Sequence, residues 1–325
     1  MTFRARSLAI AAVVIVVALV LLPFVAEKFT VQFVTRILVM AMFAMSLNLL
    51  VGQAGLVSLG HAAFFGIAGY CLALLSPQYQ AASFWTSLPL AMIAAGVLAL
   101  AIGALVLRTS GVYFIMATLA FAQMIFFLLH DTGIAGGSDG IYIYVRPDSN
   151  VFGWRPFDLE KFGDFYFVVL ALFLIVFGFI AALRVSLFGR VIAGIRVNEQ
   201  RMRSLGFATF RYKLACFVIA GMLAGLAGYL AAVQFGVVNP DMLGWHLSGA
   251  VLMMVILGGM GTLAGPVIGA AAMLLLELGL QSLPMAAGID LAKHWQLPLG
   301  IAIVLVALYL PDGIARVTRR SPADD

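Results

Sequence analysis

Residues Leu47 to Gly69 read LNLLVGQAGLVSLGHAAFFGIAG, which is almost entirely apolar. The segment nevertheless contains four polar side chains and five glycines: Asn48, Gln53, Ser58, His61, Gly52, Gly55, Gly60, Gly66 and Gly69. At membrane depth, polar side chains and broken backbone persist only where they line a cavity or contact other protein. Glycine-interrupted apolar segments are also typical of transport sites. We therefore predict a translocation pathway formed by Asn48, Gly52, Gln53, Gly55, Ser58, Gly60 and His61.

The composition of the chain is that of a polytopic α-helical membrane protein. Of its 325 residues, 64% are hydrophobic and 10% are charged, whereas soluble domains have about 25% charged residues. The net charge of +5 could suggest nucleic acid as a partner, but the basic residues are distributed as membrane topology predicts. Cys71 and Cys216 both lie in apolar runs, which indicates neither a disulfide framework nor a metal motif.

About ten apolar runs have lengths near the ~20 residues that a bilayer core requires. They are Leu8–Ala26, Val31–Val51, Leu56–Leu75, Phe84–Leu107, Val112–Leu129, Phe165–Leu183, Tyr212–Gln234, Leu247–Leu263, Pro266–Leu283 and Leu297–Leu310. The first is interpreted as a retained signal-anchor, because it is long enough to span and lacks a small-residue cleavage site. The sequence thus predicts an all-α fold, with residues 1–325 forming one transmembrane domain that contains a broken, glycine-rich segment.

The basic residues orient these runs, because Lys and Arg accumulate on the cytoplasmic side. With a cytoplasmic N-terminus, the inside receives Arg4, Arg6, Arg108, Arg184, Arg190, Arg196, Arg201, Arg203, Arg211, Lys213, Arg316, Arg319 and Arg320. The outside receives Lys28, Arg36, Arg146, Arg155, Lys161 and Lys293. Adding or removing one span would place the Arg190–Lys213 cluster outside. We therefore predict an even number of spans with both termini inside, including a cytoplasmic tail over residues 311–325.

The long outer loop covers residues 130–164 and is rich in acidic and aromatic residues. Its glycine-rich run suits tight turns and helix caps and consists of Gly136, Gly137, Ser138, Asp139 and Gly140. Two interpretations stay open. The loop is either a simple connection held by side-chain capping, or a docking surface or lid for a partner outside the cytoplasm.

The long inner loop covers residues 184–213 and has a helical pattern. Ile192, Ile195, Met202 and Leu205 are spaced to share one side, with arginines around them, and Gly206 is a natural helix stop. The pattern favours either a basic amphipathic helix on anionic headgroups or a short helix that inserts into a groove of a cytoplasmic partner.

Catalytic and nucleotide-binding motifs are missing from the sequence. No G-x-x-x-x-G-K-[ST] segment is present, so the chain has no P-loop to hold phosphates. The four histidines, His61, His130, His246 and His294, lie in separate segments without neighbouring ligands at metal spacing. We therefore predict that the chain is not an enzyme and holds no cofactor or metal of its own.

Four separated motifs resemble one family. They are LNLLVGQAGLVSLGHAAFFGIAGY from Leu47, AGGSDGI at Ala135–Ile141, the segment Gly189–Leu230 and GGMGTLAGPVIGA at Gly258–Ala270. The chain resembles the "M"-type membrane permease subunits of high-affinity branched-chain amino acid ABC importers, from about Leu47 to Pro311. Close relatives in that family handle urea, short amides and other small polar solutes.

This resemblance implies an ABC importer permease fold in the bacterial inner membrane. It also implies a homologous permease partner, two cytoplasmic ABC ATPases that bind ATP, a periplasmic solute-binding protein, contact with the lipid bilayer, and no nucleic acid. The family's coupling loop carries R-x-x-x-x-I-R-x-N-E followed by Leu-Gly. The matching positions, together with Arg201 of the same loop, are Arg190, Ile195, Arg196, Asn198, Glu199, Arg201, Leu205 and Gly206. Glu199 is expected to pair with Arg196, with Arg203 or with a basic residue of the ATPase.

Single residues leave alternatives open as well. His61 either bonds to a backbone carbonyl freed by the glycine break or lines the pathway. Glu277 should face protein or water, because a carboxylate exposed to lipid is costly. The glycines of Gly258–Gly265 form a second break that faintly echoes Gly52–Gly60, whereas Gly221, Gly225 and Gly228 predict close helix packing.

Two other classes of protein are possible rivals. The first is an ion-coupled secondary transporter or channel, in which Glu277 is the only serious candidate for the coupling residue. The second is a purely structural membrane subunit. Within the ABC class, urea or short amides are the runner-up substrates, and a sugar is a more distant third. Replacing Gly55 or Gly60 by leucine is expected to block uptake with little loss of expression.

Overall fold

The computed structural model describes residues 3–76, 80–133, 135–150, 155–282, 296–309 and 313–314. Twelve α-helices are found in this part of the chain: α1 Phe3–Val25, α2 Lys28–Asn48, α3 Ala62–Leu75, α4 Phe84–Val106, α5 Val112–Asp131, α6 Phe162–Val185, α7 Leu187–Val197, α8 Glu199–Ser204, α9 Thr209–Phe235, α10 Trp245–Gly258, α11 Gly265–Gln281 and α12 Gln296–Tyr309. Of the predicted features, Trp154 in the outer loop, Lys293, His294 and nearly all of the tail 311–325 lie outside the described residues.

The helices follow the apolar runs of the sequence, so the predicted all-α class is confirmed. Five helices in the described ranges are long and apolar enough to cross a bilayer: Lys28–Ala54, Phe84–Val106, Val112–Asp131, Phe162–Val185 and Thr209–Phe235. The remaining predicted spans coincide with shorter apolar helices or helical stretches of 10–17 residues. A total of about ten spans stays a prediction.

Two predicted boundaries were wrong, and both errors come from glycines. The third span begins at Ala62 and not at Leu56, because Gly55 turns the chain out of the helix with φ +72°. The eighth predicted span, which corresponds to α10, ends at Gly258 and not at Leu263, because Gly259 adopts φ +108°. Backbone with positive φ is left-handed and cannot continue a right-handed helix.

Helix α9 lies in the core and packs closely on α3 and α4. A Cβ atom built on Gly221 would lie 2.5 Å from Ala99 Cβ, and one on Gly225 would lie 2.6 Å from Ala95 Cβ. At Gly228 the added atom would meet the main-chain carbonyl of Phe65. The prediction of a small-residue packing face is therefore confirmed.

The outer loop is anchored by backbone pairing with a distant segment. Strand β1 (Ile141–Tyr142) pairs antiparallel with β2 (Val237–Val238), which follows α9. A short 3₁₀ turn at Gly137–Asp139 precedes β1, and Arg146 donates a hydrogen bond to the Leu159 carbonyl over 2.8 Å. Side-chain capping alone, the simpler of the two sequence interpretations, therefore does not account for the order of this loop.

Candidate translocation and coupling site

The glycine-rich stretch forms a true break between α2 and α3. Helix α2 continues into a π-helical turn at Leu49–Ala54, and left-handed Gly55 ends it. Residues 55–61 are then mostly non-helical until α3 begins. A π-helical segment is rare and often lies at a functional site. The predicted broken segment is thus confirmed.

The second glycine segment breaks the chain between α10 and α11. Gly259 and Gly261 both have positive φ. The Thr262 hydroxyl donates to the Gly259 carbonyl over 2.8 Å and accepts from the Gly265 amide over 3.0 Å. This side chain therefore replaces part of the main-chain hydrogen bonding that the break removes.

The two breaks lie against each other, and Asn48 joins them. Its Nδ2 donates to the Thr262 carbonyl over 2.8 Å, and its Oδ1 accepts from the Gly261 amide over 2.9 Å. Gly52 allows this approach, since a Cβ there would lie 2.6 Å from the Gly261 nitrogen. The faint resemblance between the two glycine segments thus corresponds to a contact in space.

His61 is fully buried at the start of α3. Its Nε2 lies 2.9 Å from the Ser46 hydroxyl, and its ring stacks on Phe43 with centroids 5.6 Å apart. Its Nδ1 has no hydrogen-bond partner among the described residues. Of the two alternatives for His61, a bond to a freed backbone carbonyl is therefore wrong, since the partner is a hydroxyl of α2. A place of His61 along the pathway stays a prediction.

Two hydroxyls that sequence reasoning missed hold the end of the break. The Leu59 amide donates to Thr118 Oγ1 of α5 over 3.3 Å, and the Ala62 amide donates to Ser248 Oγ of α10 over 2.8 Å. Both side chains are buried. In the sequence, each of these two residues is only an isolated hydroxyl in an apolar helix. Its spacing from other polar residues does not indicate a hydrogen-bond partner.

Gly60 lies where α5 approaches the break. An added Cβ would meet the Thr118 carbonyl, which belongs to the main chain. This geometry argues against the expectation that Gly60→Leu spares expression, because the substitution would disturb the packing of α5. At Gly55 the nearest atoms to an added Cβ belong to the flexible Arg196 side chain, with Cγ 3.0 Å away, but φ +72° strains any residue other than glycine at this position.

Most of the predicted pathway residues are packed within this chain. Asn48, Gly52, Ser58, Gly60 and His61 are buried, Gln53 is partly exposed and Gly55 is exposed. The structure therefore brings these residues together with the second break. Their contact with a transported solute stays a prediction.

The inner loop contains two helices instead of one. Ser186 caps α7, with its side chain accepting from the Gly189 amide over 3.2 Å. Asn198 follows α7 and caps α8, with Oδ1 accepting from the Arg201 amide over 2.8 Å. Asn is a preferred N-cap residue, which gives Asn198 a structural role at the bend.

The predicted common face of the inner loop is only partly correct. Ile192 and Ile195 of α7 are buried, and Met202 of α8 packs near Gly194. Leu205, however, is 66% exposed. It follows the end of α8, and Gly206 with φ +88° stops the helix there as predicted. Leu205 therefore does not belong to the buried face.

Glu199 fastens α8 to the start of α9. Its carboxylate accepts from Arg203 over 3.0 Å, from Thr209 over 3.0 Å and from Lys213 over 2.8 Å. Burial raises the pKa of the Glu199 carboxyl, but the bonds and charges of these partners outweigh burial and leave the pKa below its ordinary value. The expected pairing with Arg203 is confirmed, whereas pairing with Arg196 is wrong.

Two arginines connect the inner loop to the breaks. Arg196, at the end of α7, donates from Nη1 to the Gly52 carbonyl. Arg184, at the end of α6, donates from Nη2 to the Gly261 carbonyl over 2.6 Å. The sequence had marked Arg184 only as a cytoplasmic charge. Both breaks are therefore bonded to the inner loop.

Near the opposite end of α2, two cavities of about 220 Å³ each share Arg36, Gln234 and Phe235 among their lining residues. Arg36 forms an ion pair with Glu277 of α11 over 3.5 Å. Glu277 thus faces protein, as expected, and its charge is compensated. Among the described residues, no three side chains of metal-binding type come together.

The glycine-rich run of the outer loop forms tight turns. Gly136, Gly137 and Gly140 all have positive φ, from 60° to 80°. The Ser138 hydroxyl lies 3.2 Å from the Asp139 carboxylate. Gly140 also allows close approach to the other strand, since a Cβ there would lie 2.8 Å from Asn239 Cα. These residues shape the loop, and partner binding by them stays a prediction.

Comparisons with known proteins agree on one family. The family model described as "Branched-chain amino acid transport system / permease component" matches residues 29–308. The chain is 32% identical over 326 residues to the high-affinity branched-chain amino acid transport system permease protein LivM of Escherichia coli K12, covering 94% of this chain and 75% of that protein. LivM of Salmonella typhimurium LT2 is also 32% identical, over 91% of this chain and 72% of its own length.

A more distant similarity covers less of the chain. The xylose transport system permease protein XylH of Escherichia coli K12 is 30% identical over 154 residues, which are 46% of this chain and 37% of that protein. No solved structure matches the chain significantly. The proteins that match over nearly the whole chain are permeases of transport systems. This chain therefore belongs to the family of integral membrane permease components of branched-chain amino acid transport systems.

Proposed function

We propose that this chain is the permease subunit of an ATP-driven importer for branched-chain amino acids. The observation that carries the proposal is the packing of α7, an amphipathic inner helix, directly on a broken apolar helix. Arg196 of α7 is bonded to the Gly52 carbonyl of that break. A coupled transporter needs such a connection between its energy source and its pathway.

The surface of α7 and α8 supports a cytoplasmic ATPase as the partner. Val197 is 86% exposed and Leu205 is 66% exposed, and both lie in the loop that the charge distribution predicts on the cytoplasmic side. Arg190, Arg201 and Arg203 are exposed around them. Apolar anchors surrounded by basic residues suit insertion into a groove of another protein. The subunit set comprises a homologous permease, two ABC ATPases that bind ATP, and a periplasmic binding protein.

The charge of the spans supports a neutral or zwitterionic solute. Arg36 and Glu277 compensate each other in an ion pair, so the helices present little fixed charge of one sign. The same pair weakens the case for ion coupling through Glu277, because a coupling carboxylate must be free to bind its ion. The breaks, including Gly52, Gly55 and His61, form the inner end of the pathway in this proposal.

The arrangement in the membrane follows the charge distribution. The chain lies in the bacterial inner membrane, with both termini and the α7–α8 loop in the cytoplasm. The outer loop then faces the periplasm, where the exposed rings of Tyr142 and Tyr144 and nearby acidic residues offer contacts to a binding protein.

Uptake into proteoliposomes tests the proposal. The chain, co-purified with its native partner subunits, is reconstituted with ATP on the ATPase side, and the binding protein is supplied on the other side. Labelled leucine, urea and ribose are offered in turn. We expect leucine uptake that requires both ATP and the binding protein. ATP-dependent uptake of urea or ribose, without uptake of leucine, would contradict the proposed substrate. Uptake driven by an ion gradient without ATP would contradict the proposed mechanism.

A second prediction concerns the ATPase contact. Replacing Val197 and Leu205 by glutamate should reduce co-purification of the ATPase subunits by about tenfold or more, because two exposed apolar anchors become charged. The permease itself should remain inserted, since neither side chain is buried. Ser204→Glu is the matched control, because Ser204 is also exposed next to Leu205. Unchanged ATPase recovery in the double variant would exclude this surface as the contact.

A further inference from the structure

The breaks leave main-chain carbonyls that need donors. Where a helix ends inside apolar surroundings, its last carbonyls lose their partners within the helix, and each unpaired group is costly there. The Gly52 carbonyl lies in the π-helical turn, and the Gly261 carbonyl lies between α10 and α11. In both cases an arginine side chain from the inner loop provides a donor.

The two arginines come from different parts of the inner loop. Arg184 belongs to the last turn of α6, before the bend at Ser186. Arg196 belongs to the last turn of α7, before the bend at Asn198. Their carbonyl acceptors lie 77 and 144 residues away along the chain. The loop is therefore attached to each break by its own guanidinium.

Asn48 completes a closed set of connections. It bonds to both the amide of Gly261 and the carbonyl of Thr262, so the two breaks cannot separate without losing these bonds. Arg196 connects α7 to the first break, and Arg184 connects α6 to the second. A displacement of α7 would consequently pull on both breaks.

Arginine is suited to this position for physical reasons. A guanidinium stays charged at any physiological pH, presents several donors in a rigid plane and is more weakly hydrated than an ammonium group. Bonds from a charged donor are also stronger than neutral ones. Gly55 makes room for the aliphatic part of Arg196, since an added Cβ would lie 3.0 Å from Arg196 Cγ.

We propose that Arg184 and Arg196 are positioning residues that bind the ATPase-coupling loop to both broken segments, so that movement of α7 displaces the two breaks as one unit. The inference rests on the proposed function, in which α7 and α8 receive the motion of the ATPase. It adds the route by which that motion reaches the pathway. Neither arginine contacts the solute or the nucleotide in this route.

The test compares transport with ATP hydrolysis in the complete reconstituted importer. Arg196→Met and Arg184→Met keep an aliphatic stem but remove the donors. We expect ATP hydrolysis to continue, while leucine uptake per ATP falls by about tenfold or more, within the usual range of coupling effects. Arg196→Lys should restore part of the ratio, because it returns a charged donor. Arg108→Ala is the control, since Arg108 is another exposed arginine predicted on the inner side.

A labelling experiment separates positioning from general stability. Ala264 is exposed within the second break, and Ala264→Cys is introduced after Cys71 and Cys216 have been replaced by alanine. In the otherwise native complex, a non-hydrolysable ATP analogue should change the rate of thiol labelling at position 264. The arginine-to-methionine variants should lose this change while the complex stays assembled, which a merely destabilised protein would not show.

The outcomes distinguish the inference from the proposed function. An otherwise native complex that shows no ATP-dependent uptake contradicts the proposed function. If the native complex couples uptake to ATP hydrolysis and both methionine variants keep the native ratio of uptake to ATP hydrolysed, the inference is overturned. The proposed function then still stands. Because the arginines lie on different helices, failure of one variant to assemble leaves the other to decide.

Discussion

Gly228→Leu is expected to abolish recovery of folded protein. Gly228 lies in the core of α9, where the missing side chain lets the main chain of α3 approach. A Cβ at this position would already meet the Phe65 carbonyl. Main chain cannot rotate away as a side chain can, so the cost should exceed the ~1–3 kcal/mol typical of overpacked cores. That cost is a large part of the total of about 5–15 kcal/mol that stabilises most domains.

The measurement is the yield and thermal stability of the detergent-solubilised chain after size-exclusion chromatography. Gly178→Leu in α6 is the matched control, because no atom lies within 4 Å of a Cβ built on Gly178. The control should be recovered at the native level. Equal recovery of the two variants would show that α3 and α9 are not packed as closely as the structure places them.

Asn48→Leu is expected to remove transport while the chain remains inserted. The substitution nearly preserves side-chain volume but leaves the Gly261 amide and the Thr262 carbonyl without their bonds to Asn48. An unsatisfied buried polar group costs about 1–3 kcal/mol, so the contact between the breaks should weaken by a few kcal/mol. Both breaks would then lose their fixed relative position.

ATP-dependent uptake and thermal stability are measured together for this variant. The control is Gln281→Leu, which exchanges another amide for leucine at an exposed site in α11. We expect uptake to fall by more than about tenfold for Asn48→Leu, since 1.4 kcal/mol corresponds to tenfold, and to stay near the native level for Gln281→Leu. Native uptake in the Asn48 variant would show that transport does not require the bonded pair of breaks.

Local properties of the sequence predicted most of the helices and the positions of both interruptions, but not all of the helix boundaries. The apolar runs predicted where helices form, because a bilayer requires about 20 apolar residues in each span. Gly206 was predicted as a helix stop, and Gly55 and Gly259 lie in the two glycine-rich segments that were predicted as breaks. All three adopt positive φ. The errors of several residues at the start of α3 and at the end of α10 arose because the sequence does not show which glycine of a cluster adopts the turn conformation.

The sequence predicted side-chain partners only in part. Glu199 was expected to pair with Arg196, with Arg203 or with a basic residue of the ATPase. It bonds to Arg203, and Lys213 and Thr209 of α9 bond to the same carboxylate. A bond to a backbone carbonyl was one of two alternatives for His61, yet the ring lies against the Ser46 hydroxyl. Such choices depend on distances of a few tenths of an ångström, because a hydrogen bond weakens steeply outside its preferred geometry.

The sequence by itself predicted a polytopic helical membrane protein with two glycine breaks and a basic inner loop, because hydropathy, charge and glycine content act over a few neighbouring residues. The permease class came from the resemblance of four motifs to one family. The sequence could not show that the breaks touch, or that the inner loop is bonded to both. Asn48 and Thr262 are 214 residues apart, and Arg196 and Gly52 are 144 apart. Contacts at such separations form only when the packing of α2, α6, α7, α10 and α11 brings their ends together, so they are a property of the tertiary structure.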